Sequence, residues 1–92
     1  MAKTAATPDP PTKIVVLDRG FVYVGRVTLE PDWCVITGAK NIRYWGTTRG
    51  LGQLALEGPT ASTKLDPVGT IRAPMRAVIS ILDTESALWK QP

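Results

Sequence analysis

The sequence predicts a small α+β domain: an antiparallel β-meander or partly closed barrel of about five or six short strands, one short central helix, and a turn of helix at the C-terminus. Three observations carry this. Apolar runs of strand length follow one another, separated by turn residues. One segment alone, Leu51, Leu54 and Ala55, has apolar residues at helical spacing. The chain of 92 residues is the length of a single domain with a modest core, one that self-association would help to stabilise.

Residues 1–12 hold prolines at 8, 10 and 11 among small polar residues and are expected to form an extended arm; residues 13–92 form the domain. Ile14–Leu17 is a compact β run, and Asp18-Arg19-Gly20 supplies a turn. From Phe21 to Leu29 the side chains alternate, Phe21, Tyr23, Gly25, Val27 and Leu29 to one face and Val22, Val24, Arg26 and Thr28 to the other. Gly25 marks a bulge or bend. After Glu30-Pro31-Asp32, a third strand covers Trp33–Thr37, and Gly38–Asn41 is expected to turn into a fourth that ends at Trp45.

Gly46 then breaks the strand. Thr47 or Thr48 is placed to cap a helix running from about Thr48 to Glu57, and Gly58-Pro59 ends it. Gly50 and Gly52 each weaken such a helix by about 1 kcal/mol relative to Ala, a cost that points to a close backbone approach. Residues 58–69 read as a polar loop. Ile71 resumes β character, Pro74 marks an edge or bulge, and the apolar run Ala77–Leu82 reads as a central strand covered on both faces. Asp83 or Thr84 caps a final turn that docks Trp89.

The composition excludes several functions. There is no histidine, which removes His-based acid–base chemistry, the common nucleophilic triads and most zinc sites. The single cysteine, Cys34, rules out an internal disulfide and fits a reducing compartment. The N-terminus lacks a signal-peptide core, and no apolar run approaches the ~20 residues of a membrane helix. Carboxylates sit singly in turns, so the chain is expected to be non-enzymatic, with no metal or cofactor. A net charge of +3, spread along the chain, tolerates an anionic partner without demanding one.

The candidate site is Arg43, Tyr44, Trp45, Thr47, Thr48, Arg49 and Gly50. Unpaired amides in the first turn of a helix carry partial positive charge and attract phosphate. Arg43 and Arg49 add charge, and an aromatic face stacks on a base. By strand alternation, one of Tyr44 and Trp45 is expected to face the core. The run Gly50-x-Gly52-x-x-Ala55 matches a dinucleotide fingerprint in letters only, because no βαβ unit surrounds it. Arg72 and Arg76 are candidates to converge on the same ligand, although solvated edge charges are the simpler reading.

The pattern Phe21-Val22-Tyr23-Val24-Gly25, then Ala39-x-x-Ile42-x-Tyr44-Trp45, then Leu51, Leu54, Ala55 and Gly58, resembles a family of small bacteriophage and prophage proteins of unknown function. Arg43 inside the aromatic cluster and the Gly46–Gly50 run depart from it. The resemblance implies a phage or prophage origin and the host bacterial cytoplasm, and it transfers no activity. The expected role is a binding protein, with a cyclic oligonucleotide defence signal as ligand and a homo-oligomeric state. The alternatives are a virion or protein-interaction component and a weak nucleic-acid binder.

Overall fold

The computed structural model describes residues 11–89, the side chains of 86 and 87 excepted. Five strands form one antiparallel sheet: β1 (Thr12–Leu17), β2 (Val22–Leu29), β3 (Trp33–Tyr44), β4 (Lys64–Pro74) and β5 (Val78–Asp83). The spatial order is β4-β3-β2-β1-β5. One helix, α1 (Leu51–Glu57), lies between β3 and β4. The expected arm lies outside the described residues apart from its last two. Of these, Pro11 offers its carbonyl to Val27 N at 3.0 Å and Thr12 pairs with Arg26.

The link between β4 and β5 shapes the sheet. These strands occupy its two edges, yet only Met75–Ala77, one 3-10 turn, joins them. Four strand spacings laid flat cover about 19 Å. A link from Pro74 to Val78 reaches at most about 14 Å even when extended, and a helical turn is shorter. The sheet therefore curls until its edges approach at one end. No ladder joins β4 to β5 among the described residues, so the sheet is open and not a closed barrel.

Curling gives the sheet two cores. The concave face gathers Val15, Leu17, Val27, Cys34, Ile36, Ala39 and Ala73, with Val78 and Ile81 of the opposite edge packed against them. The convex face carries Ile14, Val22, Val24 and Ile42, roofed by Leu54 and Ala55 of α1 and by Trp89. The alternation read in β2 holds: Val22 and Val24 serve the roofed face, Tyr23 and Val27 the concave one. Gly25 lies at the register shift between Val24 and Arg26, where a β-carbon would come within 2.6 Å of Ile36 Cγ2. Only glycine lets the two strands close at this bend.

Four expectations are corrected. Gly38–Asn41 does not turn; β3 runs unbroken through it, and the Gly38 φ of +61° is absorbed as an irregularity in pairing with β2 and β4. The polar loop ends early, because β4 begins at Lys64 and tolerates Pro67 and Pro74 by lying at the sheet edge. The run Ala77–Leu82 supplies an edge strand, not a central one: its faces meet both cores while β1 is its only neighbour. The helix starts at Leu51, three residues later than expected, and neither threonine caps it. Its N-cap is Gly50 at φ +85°, and its C-cap is Gly58 at φ +81°, whose amide donates to Leu54 O at 2.9 Å. The C-terminal segment forms a 3-10 turn, Ser86–Trp89, and Trp89 is 3% exposed with its indole N–H directed at Ala55 O.

Candidate functional site

The end of β3 and the six residues after it form the region singled out by the sequence. Ile42 is buried beneath α1. Simple alternation would place Tyr44 on that same buried face. The pairing with β4 shifts here, from Ile42↔Leu65 to Tyr44↔Lys64, which leaves Arg43 as the extra residue of a bulge. A bulge re-aims the side chains beyond it. Tyr44 consequently emerges 59% exposed and Trp45 41% exposed, which overturns the expectation that one of them is core.

The backbone behind these aromatics is clamped. Thr63 Oγ1 donates to the Trp45 carbonyl and Thr60 Oγ1 to the Gly46 carbonyl, each at 2.7 Å. Thr60 N in turn donates to Thr63 Oγ1 at 2.8 Å. Gly46, at φ +67°, lets this turn press against it: a β-carbon there would sit 2.6 Å from Ser62 C and Thr63 N. Arg43, Tyr44, Trp45, Gly46 and Thr47 line an open pocket of about 300 Å³. Four of the seven expected residues are thus brought together. Gly46 was missed, although a glycine that ends a strand between aromatics and threonines is a readable sign of close packing.

Thr48, Arg49 and Gly50 do not line that pocket. They are occupied with the start of the helix. Gln53 Oε1 accepts the Arg49 amide at 2.7 Å and the Thr48 hydroxyl at 3.3 Å. Gln53, in the third helical position, thus turns back past the N-cap to the residue before it, one short of a capping box. Thr47 Oγ1 donates to the Gly50 carbonyl at 2.9 Å instead of accepting from a helix amide. Arg49 is paired with Glu57 across the helix. These bonds fix the residues leading into the helix, while no side chain caps its first turn. Gly50 is explained by its positive φ, while a β-carbon on Gly52 would meet nothing within 4 Å, so no close approach accounts for that residue.

Arg43 is the cation of the pocket. Its Nε donates to Asp66 Oδ2 at 2.7 Å and its Nη2 to Asp66 Oδ1 at 3.4 Å. The hydrogen bond to Asp66, with its charge, holds the guanidinium above its ordinary pKa, so Arg43 remains cationic at any working pH. The pair is solvent-exposed, and such a pair is weak enough for an incoming anion to compete with Asp66.

Arg72 and Arg76 do not join this site. Arg72 pairs with Val35 near the start of β3, roughly 30 Å along the strand from Tyr44. There it bonds Glu30 Oε1 at 3.0 Å and lies 5.9 Å from the Trp33 ring centroid. A second pocket of about 300 Å³ opens beside it, lined by Asp32, Trp33, Pro74, Met75 and Arg76. The sequence reading did not single out Trp33; its position directly after a turn, ahead of Cys34 and Val35, was the available sign.

Among the described residues, fold and pockets define a small antiparallel β-rich domain with a surface pocket at each end of its longest strand. Among the described residues there is no group of three or more His, Cys, Asp or Glu side chains able to hold a metal, and no helix long and apolar enough to cross a membrane. No family model, no curated protein and no solved structure matches the chain.

Proposed function

We propose that this chain is a non-enzymatic binding protein whose ligand surface is the Arg43–Thr47 corner, and that the ligand is a planar, negatively charged molecule of nucleotide type. The observation that carries the reading is the pair Tyr44 and Trp45, exposed side by side beside a cationic Arg43 at an open pocket. Exposing two large aromatics forgoes burial worth on the order of 2 kcal/mol each, and clustered exposure of this kind marks a contact surface. A base stacks on the rings, Arg43 exchanges Asp66 for a phosphate, and Thr47 donates its hydroxyl once it leaves the Gly50 carbonyl. The helix entry stands apart from this version of the site, because Thr48, Arg49 and Gly50 do not line the pocket. With a phage or prophage origin and a place in the host cytoplasm, the ligand class is a cyclic oligonucleotide defence signal held by sequestration.

The test is calorimetry together with thermal unfolding against cyclic di- and trinucleotides. Ligand at about 100 times its Kd adds about 2.7 kcal/mol of stability. Trp45→Ala and Arg43→Ala are expected to abolish the gain, and Arg49→Ala to leave it intact. A panel that produces neither heat nor stabilisation well above micromolar concentration removes the proposal.

A protein-interaction or virion role is the second reading, and Trp33 favours it, being 41% exposed at the other pocket. A nucleic-acid role draws less support: the net charge is only +3 and the basic residues are spread along the chain instead of clustered.

A further inference from the structure

The pocket at the start of β3 has a composition different from the aromatic corner. It is lined by the apolar Trp33, Pro74 and Met75 together with one acid, Asp32, and one base, Arg76. The two walls are fixed to each other: Trp33 pairs with Pro74, and Met75 N donates to the Asp32 carbonyl at 3.0 Å. Neither Asp32 nor Arg76 has an ion-pair partner among the described residues. A shallow apolar trough with an exposed indole and a proline wall is the surface on which a polyproline segment docks, since its rings pack on the aromatic and its preformed backbone loses little entropy.

The chain carries such a segment, Pro8-Asp9-Pro10-Pro11, with an acid between its prolines to match Arg76. Asp32 disfavours that acid anywhere in the trough except beside the arginine. The point at which the segment joins the sheet is set apart from the groove of its own chain. Pro11 is held at Val27, whose partner on β3 is Ile36. From there Trp33 lies three residues along β3 and two strands across from β1, roughly 14 Å over the sheet surface. A polyproline run from Pro11 back to Pro8 covers about 9 Å.

We propose that the groove of Trp33, Pro74, Met75 and Arg76 receives the Pro8–Pro11 segment of a second copy of this chain, with Asp9 paired to Arg76 across the contact. The arms thereby link protomers without using the sheet edges or the Arg43–Thr47 corner, so the inference stands apart from the ligand reading.

The test is sedimentation equilibrium of the full chain, with Asp9→Lys and Arg76→Glu singly and combined. Each reversal places like charges together and is expected to weaken association by about tenfold or more. The double variant restores it. The indole N–H resonance of Trp33 is expected to move with protein concentration in the wild-type chain and to stay still in either single variant. A chain that remains monomeric at about 500 μM, single variants that associate like the wild type, or a Trp33 resonance that responds to Asp9→Lys but never to concentration each overturns the proposal; the last assigns the groove to the chain's own arm.

Discussion

Thr63 Oγ1 donates to the Trp45 carbonyl at 2.7 Å, and this bond ties the turn after α1 to the last aromatic of the candidate site. Trp45 is thus held through its backbone while its ring stays free. Thr63→Ala removes the donor to Trp45 and the acceptor for Thr60 N together. The expected loss of stability is about 1–2 kcal/mol, measured by urea unfolding, with the Trp45 fluorescence shifted in the folded state.

Gly46 and Gly52 make opposite predictions. Gly46→Ala forces a positive φ on a residue with a β-carbon and drives that carbon into the backbone of Ser62 and Thr63. Neither can move cheaply, so the variant is expected to lose at least about 2 kcal/mol and to weaken any ligand at the corner. Gly52→Ala fills open space inside a helix and is expected to raise stability by up to about 1 kcal/mol. Thermal melts of the pair check both signs.

The tryptophans divide in the same way. Trp89 closes the roofed core and is 3% exposed, so Trp89→Ala is expected to cost about 3–5 kcal/mol and to loosen α1. Trp45→Ala is expected to change stability by less than about 1 kcal/mol while removing ligand binding. Hydrogen exchange at the α1 amides separates the two outcomes.

Cys34 supplies the pH prediction. Burial in the concave core disfavours the thiolate and pushes its pKa above the ordinary value of 9.0. The unfolded chain therefore ionises first. Stability attributable to this residue is complete below about pH 9 and falls as pH rises through the higher folded value. Cys34→Ala is expected to flatten that alkaline decline at the cost of some packing. In the native protein, thiol reagents at neutral pH are expected to react only at the rate of unfolding.

Local chemistry in the sequence accounts for what was legible and for what was not. The β1–β2 hairpin, the bend at Gly25 and the glycine C-cap at Gly58 each depend on residues close in the chain, and each was readable. The continuity of β3 through Gly38–Asn41 was hidden, because Gly-Ala-Lys-Asn has turn composition and its extended form depends on distant partners, Tyr23 and Val24 on one side and Asp66, Pro67 and Gly69 on the other. The start of β4 was masked by prolines that an edge position excuses. At the candidate site, four of the seven expected residues line one pocket. The outward swing of Tyr44 depends on the pairing slip at Arg43, which no local pattern announces. Gln53 was the missing participant: a polar residue two places into a helical stripe gave no sign that it would fold back over the Arg49 amide.

The pairing of β1 with β5 joins the earliest strand to the latest, with Lys13 set against Asp83. During synthesis the first strand must therefore wait, one flank bare, until β5 has been made. Such long-separation pairing makes for slow maturation. A truncated product ending in the β4 region would present an unfinished, adhesive border in place of a native domain, which makes premature termination more damaging to this molecule than most single substitutions.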